Sequence, residues 1–215
     1  MPSTPISLIA VGHLPAEAIT PLLEKLERIE VLELDVPFRD PLSKHRAETN
    51  RAIDAAANDW ILIVRERESI DAALAEEIAR AIADDRAHGF RIRTEPYYAG
   101  APLRIGSDAG EVRLFHRRGF LRFANKGQWS EITVQGSVVR LAHAFRTTTF
   151  LSAEEHEAYL AKSGTTRSAL RRAMTFARNA MLAATFDKNT LRYLWIEAGY
   201  EHRQPEAAPS SVDRK

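Results

Sequence analysis

Three strand-like segments, ISLIAVG at 6–12, EVLELDVP at 30–37 and WILIV at 60–64, are each followed by a stretch suited to a helix. In PAEAITPLLEKLERI, Ile19, Leu22, Leu23 and Leu26 fall at helical spacing. The alanine-rich LSKHRAETNRAIDAAAND permits a second helix. SIDAALAEEIARAIADD is the clearest of the three, with Leu74, Ile78 and Ile82 in one stripe, acids in its early turns and Ser69 as the expected N-cap. Strands that alternate with helices in this way need crossover connections, so the chain is expected to form an α/β domain around a mainly parallel sheet flanked by helices.

After residue 88 the pattern changes. GFRIRTEPYYAG, EVRLFHRR, FLRFAN and EITVQGSVVRLAHAF read as shorter strands and loops. From SAEEHEAYLAK through TTRSALRRAMTFARNAMLAATF to NTLRYLWIEAGY the pattern is helical, and RQPEAAPSSVDRK has the composition of a frayed tail. The expected division is an α/β domain over 1–150, a C-terminal helical region over 151–203 packed on it, and a flexible tail over 204–215.

With 215 residues, a formal net charge of +1 and no cysteine, the chain can bury a sizeable core but offers no global basic surface for nucleic acid. Disulfides, thiolate metal sites and a cysteine nucleophile are excluded. The start MPSTPISLIAVGHLP lacks a basic leader, and nowhere do about eighteen apolar residues run uninterrupted. The cytoplasm is the expected location.

The most charged short stretch, Arg65-Glu66-Arg67-Glu68, directly follows the third strand. In an open parallel sheet, ligands sit beyond the carboxyl ends of the strands, which gives these side chains a binding role. The alternative is a solvated strand-to-helix loop.

The span TNRAIDAAANDWILIVRERESIDAALAEEI resembles the central segment of family 2 glycosyltransferases, particularly the bacterial lipopolysaccharide-core group. There, an alanine-rich helix leads to a Trp-containing strand that ends in Asp-Ala-Asp-Glu. YYAGAPLRIGSDAGEVRLFHRR is similar to the family's aromatic-glycine segment and Arg-Leu-Phe strand, QWSEI falls where a His-Glu pair is common, and VVRLAHAF matches a later strand ending near a histidine. The resemblance covers about residues 5–150. It implies a GT-A-like, Rossmann-related fold and transfer of a sugar from a nucleotide diphosphate donor to a glycan or lipid-linked acceptor. A noncatalytic binding or scaffold protein on the same fold is the alternative.

Residue by residue, the resemblance puts the two family aspartates at Arg65 and Arg67, replaces the intervening alanine by Glu66, and keeps the acid type only at Glu68. Those aspartates hold a divalent cation against the donor diphosphate, and arginine cannot ligate a cation. Two guanidiniums can contact phosphate oxygens directly, so no divalent metal cofactor is expected. Asp35 falls at a nucleoside-contacting acid, with an ordinary turn residue as its alternative. Gly12 and His13 occupy the first strand-to-helix turn, where His13 is expected to be structural. The connection from Asp35 to Asn50 is short and lacks a strand found in many relatives.

Glu131 falls at the acceptor-side carboxylate, the implied general base of an inverting transfer, preceded here by Ser130 instead of histidine. Arg113 and His143 are implied on the acceptor or phosphate side. For His143 the alternative is packing among Leu141, Ala142, Ala144 and Phe145. Arg113, Arg117, Arg118, Arg122 and Lys126 lie among aromatic residues without a recognisable RNA-binding signature. Around 166–182, Arg167, Arg171, Arg172 and Arg178 border an apolar stripe of Leu170, Met174, Ala177 and Met181. Core packing is the first expectation for that stripe, and peripheral contact with an anionic membrane is the second.

Overall fold

A computed structural model describes residues 4–37, 42–84, 87–103, 109–121, 132–166, 169–183 and 187–202. The chain divides into two compact units, one drawn from Met1–Pro96 and Ser107–Thr149, the other from Tyr97–Gly106 and Phe150–Lys215.

The first unit begins with β1 (Ile6–Val11), α1 (Thr20–Lys25), β2 (Ile29–Leu34), α2 (Arg46–Ala55) and β3 (Trp60–Arg65). β1 pairs in parallel with β2 on one side and β3 on the other. The unbroken apolar runs follow from double coverage. Ile6, Leu8 and Ala10 of β1 and Trp60, Leu62 and Val64 of β3 face a core that includes Leu22 and Leu26. Ile9, Val11, Ile61 and Ile63 face the opposite core, closed by Ile53 and Ala56. A strand buried on both faces cannot alternate polar with apolar. β2 ends the sheet on this side, and Val31 there is exposed.

After β3 the chain continues through β4 (Glu68–Ser69), α3 (Ala72–Asp84), β5 (Gly89–Tyr98), β7 (Glu111–His116) and β10 (Val138–Phe150), with β6 (Ala101–Pro102) after β5 and a short β8–β9 hairpin (Phe120–Leu121 with Thr133–Val134) between β7 and β10. The sheet order is β2-β1-β3-β7-β5-β10-β4. β7 is antiparallel to both β3 and β5, and β4 is antiparallel to β10. The fold is therefore of the expected α/β class, with a mixed sheet that is parallel across β2-β1-β3 and antiparallel where β7 meets β3 and β5 and where β4 meets β10. The stretch from Val138 forms one strand of thirteen residues, longer than the short strands its sequence suggests.

α3 lays Leu74, Ala75, Ile78 and Ile82 on the core. Its cap is Asp71, whose Oδ1 accepts the Leu74 N–H at 2.9 Å, while Ser69 lies in β4. This corrects the expected N-cap, because β4 pairing extends the backbone two residues beyond the end of the loop. Glu77 joins α3 to β10. It accepts the N–H groups of Ala142 at 2.8 Å and His143 at 2.9 Å, and the His143 ring at 2.8 Å. A carboxylate only accepts, so Nδ1 of His143 carries the proton in that contact.

In the second unit β5 and β6 meet through Tyr97–Pro102 and Tyr98–Ala101. α4 (Ala153–Ser163), β11 (Gly164–Thr166), α5 (Ala169–Ala183), α6 (Lys188–Glu197) and β12 (Tyr200–His202) follow, with β11 antiparallel to β12. Its core holds Tyr98, Leu103, Phe150, Leu160 and Ile196. His156 is buried between the Phe150 ring at 4.1 Å and the Tyr193 ring at 4.9 Å, and its Nε2 lies 2.9 Å from Glu197. The expected packing of the α5 stripe is not observed: Met174 is 65% exposed and Met181 80%. Among the described residues no helix is long and apolar enough to cross a membrane.

Burial pushes the Glu77 carboxyl up, but the Ala142 and His143 N–H groups and the His143 ring outweigh it and hold the carboxyl below its ordinary value. A depressed folded pKa stabilises above the unfolded pKa, and that stability is lost as pH falls through the folded value. Glu77→Gln is therefore expected to lower the denaturant midpoint at neutral pH, with the gap to wild type closing as acid titrates the folded carboxyl. A gap that does not change with pH would contradict this linkage.

Candidate functional site at the carboxyl ends of the parallel strands

The three parallel strands end in register. Val11 pairs with Leu34 and with Arg65, so Gly12, Asp35 and Glu66 continue from adjacent strand ends. Gly12 N–H donates to the Leu34 carbonyl at 2.9 Å, and Glu66 N–H to the Val11 carbonyl at 2.7 Å. Gly12 has φ +79°, and a Cβ there would lie 2.8 Å from Oε2 of Glu66. The missing side chain lets Glu66 lie across the end of β1. Asp35 is exposed just beyond β2, beside buried Val36, and His13 is exposed in the first turn.

The chain then reverses between β3 and β4. Arg67 sits in the left-handed region at φ 67°, an uncommon conformation for a residue with a side chain. Its carbonyl accepts the Thr148 N–H at 2.9 Å, and Glu68 then pairs with Thr147 of β10. Nε of Arg67 lies 4.0 Å from Oε1 of Glu66.

Glu68 points inward. It is 3% exposed, as is Arg113 of β7. Arg113 Nη2 donates to Glu68 Oε1 at 2.8 Å and Nη1 to Oε2 at 3.4 Å. Oε2 also accepts the Arg65 N–H at 2.7 Å, so the acid closes the turn in which it lies. Glu111, two residues before Arg113 and on the same side of β7, completes the group. Its Oε2 accepts Arg65 Nη2 at 3.3 Å and lies 3.1 Å from Arg113 Nε. The result is a quartet of two arginines and two glutamates whose formal charges cancel.

Burial lowers the Arg65 pKa from its ordinary value, the neighbouring Arg113 charge lowers it further, and Glu111 and Glu68 oppose both. A guanidinium remains cationic under such pressure. Among the described residues, Nε of Arg65 has no hydrogen-bond partner. No group of three or more His, Asp or Glu side chains is placed to hold a metal ion among those residues.

Arg65, Arg67, Glu68 and Arg113 thus come together around one turn, with Asp35 beyond the end of β2, one strand removed from β3 across β1. His143 does not join them. Its ring is held by Glu77, and it lies four residues before the Thr147 position that pairs with Glu68, about 13 Å along the strand. Glu131 lies outside the described residues, as does Arg167. Glu111 was not singled out from the sequence, although its spacing of two from Arg113 in a strand put both on one face.

No protein-family model matches the chain, and no curated protein matches it. Among solved structures, the chain is similar to a crystal structure of S. aureus TarS residues 1–349, with 11% identity, coverage of 91% of this chain and 71% of that one, and a TM-score of 0.38. A likeness at this level says nothing about activity.

The buried pair sets a clear expectation for mutagenesis. Arg113→Met leaves Glu68 as an unpaired buried carboxylate and is expected to cost about 3–5 kcal/mol of stability. Combining it with Glu68→Gln keeps an acceptor for the Arg65 N–H and removes the charge, so the double variant should unfold at higher denaturant than Arg113→Met alone. Equal midpoints for the single and double variants would show that the charge pairing is not what the position requires.

Proposed function

We propose that this protein binds the diphosphate of a nucleotide sugar at the carboxyl ends of β1, β2 and β3 without a divalent cation, and transfers the sugar to a glycan or lipid-linked acceptor. The observation that carries this reading is the placement of Arg65 and Arg67 on one turn, where the resemblance expects metal-binding aspartates. Arg65 is held by Glu111 and has a buried Nε with no hydrogen-bond partner among the described residues, while Arg67 is held by its backbone in a left-handed conformation. The residues present do not suit a divalent cation. Two positions are cationic, and both Glu68 oxygens accept hydrogen bonds from the protein.

In the proposed reaction the bond between the sugar carbon and the diphosphate oxygen breaks as the acceptor oxygen attacks that carbon. Negative charge then grows on the departing diphosphate, where Arg65 and Arg67 offer charge-assisted hydrogen bonds. Glu131 takes the acceptor proton in the role the resemblance gives it. Asp35 contacts the nucleoside.

The self-neutralised quartet favours a second reading, in which the chain is a noncatalytic relative that uses these charges to hold its fold. The two readings separate on diphosphate affinity. A nucleoside diphosphate is expected to bind in the presence of chelator, with little change on adding magnesium. Arg65→Ala with Arg67→Ala should weaken the diphosphate about 10- to 100-fold, the worth of a charged hydrogen bond, while leaving the nucleoside nearly unaffected. Glu111 competes with the ligand for Arg65, so Glu111→Gln should tighten binding. Absence of affinity in calorimetry under every metal condition would leave the noncatalytic reading.

A further inference from the structure

α5 carries an unusual surface. A helix on a folded domain normally buries one stripe and turns its polar residues to water. Here the side chain of Phe176 meets Trp195 of α6 edge-on at 5.3 Å, and Arg172 lies 4.4 Å above the same indole ring, with its Nε donating to the Trp195 carbonyl at 3.2 Å. That contact uses the Arg172–Phe176 side. Met174, Ala177 and Met181, at spacings of three and four, occupy another side and are exposed, the two methionines most of all. Arg171 and Arg178, seven residues apart, are exposed alongside them.

From 158 to 186 the sequence contains Lys162, Arg167, Arg171, Arg172 and Arg178 and no aspartate or glutamate, in a chain whose formal net charge is +1. Of these, Arg171 and Arg178 are the cations exposed beside the methionines, on a helix without an acidic residue. We propose that this face of α5 docks on an anionic phospholipid bilayer, with Met174 and Met181 entering the acyl boundary and the arginines meeting lipid phosphates. Charge complementarity selects the partner's sign, and the methionines select its apolar depth. Met side chains are unbranched and adapt to an irregular apolar medium. They do not supply the stacking platform that single-stranded nucleic acid uses. At fifteen residues, α5 is about 22 Å long, which suits a helix lying in the interface and is too short to span a bilayer.

The test uses the full chain, sedimented with phosphatidylcholine vesicles and with mixed phosphatidylcholine–phosphatidylglycerol vesicles. Binding is expected only to the mixed vesicles and should weaken as salt rises. Arg171→Gln with Arg178→Gln should reduce it by about fivefold per arginine. Met174→Ser with Met181→Ser should reduce it at least about tenfold with an unchanged circular dichroism spectrum, because both side chains are already exposed. Equal binding to neutral vesicles, or none to the mixed ones, overturns the proposal. So does vesicle binding that ignores the methionine substitutions, or an oligonucleotide bound as tightly as the mixed vesicles by both proteins, since either means a generic cationic surface. A dimer in light scattering that the methionine substitutions dissociate would assign the face to a second copy and also overturn it.

Discussion

Glu68 and Arg113 confront each other inside the sheet with almost no solvent around either, and the surrounding turn is arranged to keep them paired. Taking two charges out of water costs several kcal/mol for each ion, and mutual attraction offsets that only when the remaining donors and acceptors are satisfied. Here the second Glu68 oxygen accepts the backbone N–H of Arg65, while Arg113 Nε lies 3.1 Å from Glu111 in an ion-pair contact that is not a hydrogen bond. The pair thereby ties three places in the sequence together: the end of β3, the short β4 strand and β7. β4 leaves the parallel part of the sheet at this point to join β10, so the charge pair sits where the sheet changes direction.

That position underlies the function proposed for the quartet. A parallel sheet presents its strand ends to ligands, and Gly12, Asp35 and Glu66 meet there because β1, β2 and β3 end in register. Cationic Arg65 and Arg67 favour an anion at the turn, whereas the glutamates beside them neutralise the group in the absence of a ligand. In the proposed function, an incoming diphosphate competes with Glu111 for Arg65. This competition links affinity to a residue that need not touch the ligand.

Much of this fold was legible in the sequence because it rests on local pattern. The runs at 6–12 and 60–64 are apolar without alternation, the mark of strands covered on both faces, and α3 shows its stripe directly. The antiparallel half was less visible, since the register of β7 against β3 and β5 depends on contacts far apart in sequence. The Ser69 cap was misjudged for the same reason: β4 exists only through its pairing with β10, which moves the helix start to Asp71. At the site, Arg65, Arg67, Glu68 and Arg113 were identifiable, but their mutual pairing was not, and Glu111 gave only the faint signal of its spacing from Arg113. In α5 the periodicity identified the stripe without telling whether it faced protein or solvent, because an apolar helix face has the same pattern in either case.

The central claim is that arginine has taken the place of a cation at the strand ends. Its most direct measurement is a crystal structure of the protein grown with a nucleoside diphosphate and manganese, with anomalous differences recorded at the manganese edge. The account predicts diphosphate oxygens within hydrogen-bond distance of Arg65 and Arg67, Arg65 drawn away from Glu111, and no anomalous peak beside the phosphates. A manganese peak bridging the diphosphate to Glu66, Glu68 or Glu111 would contradict it.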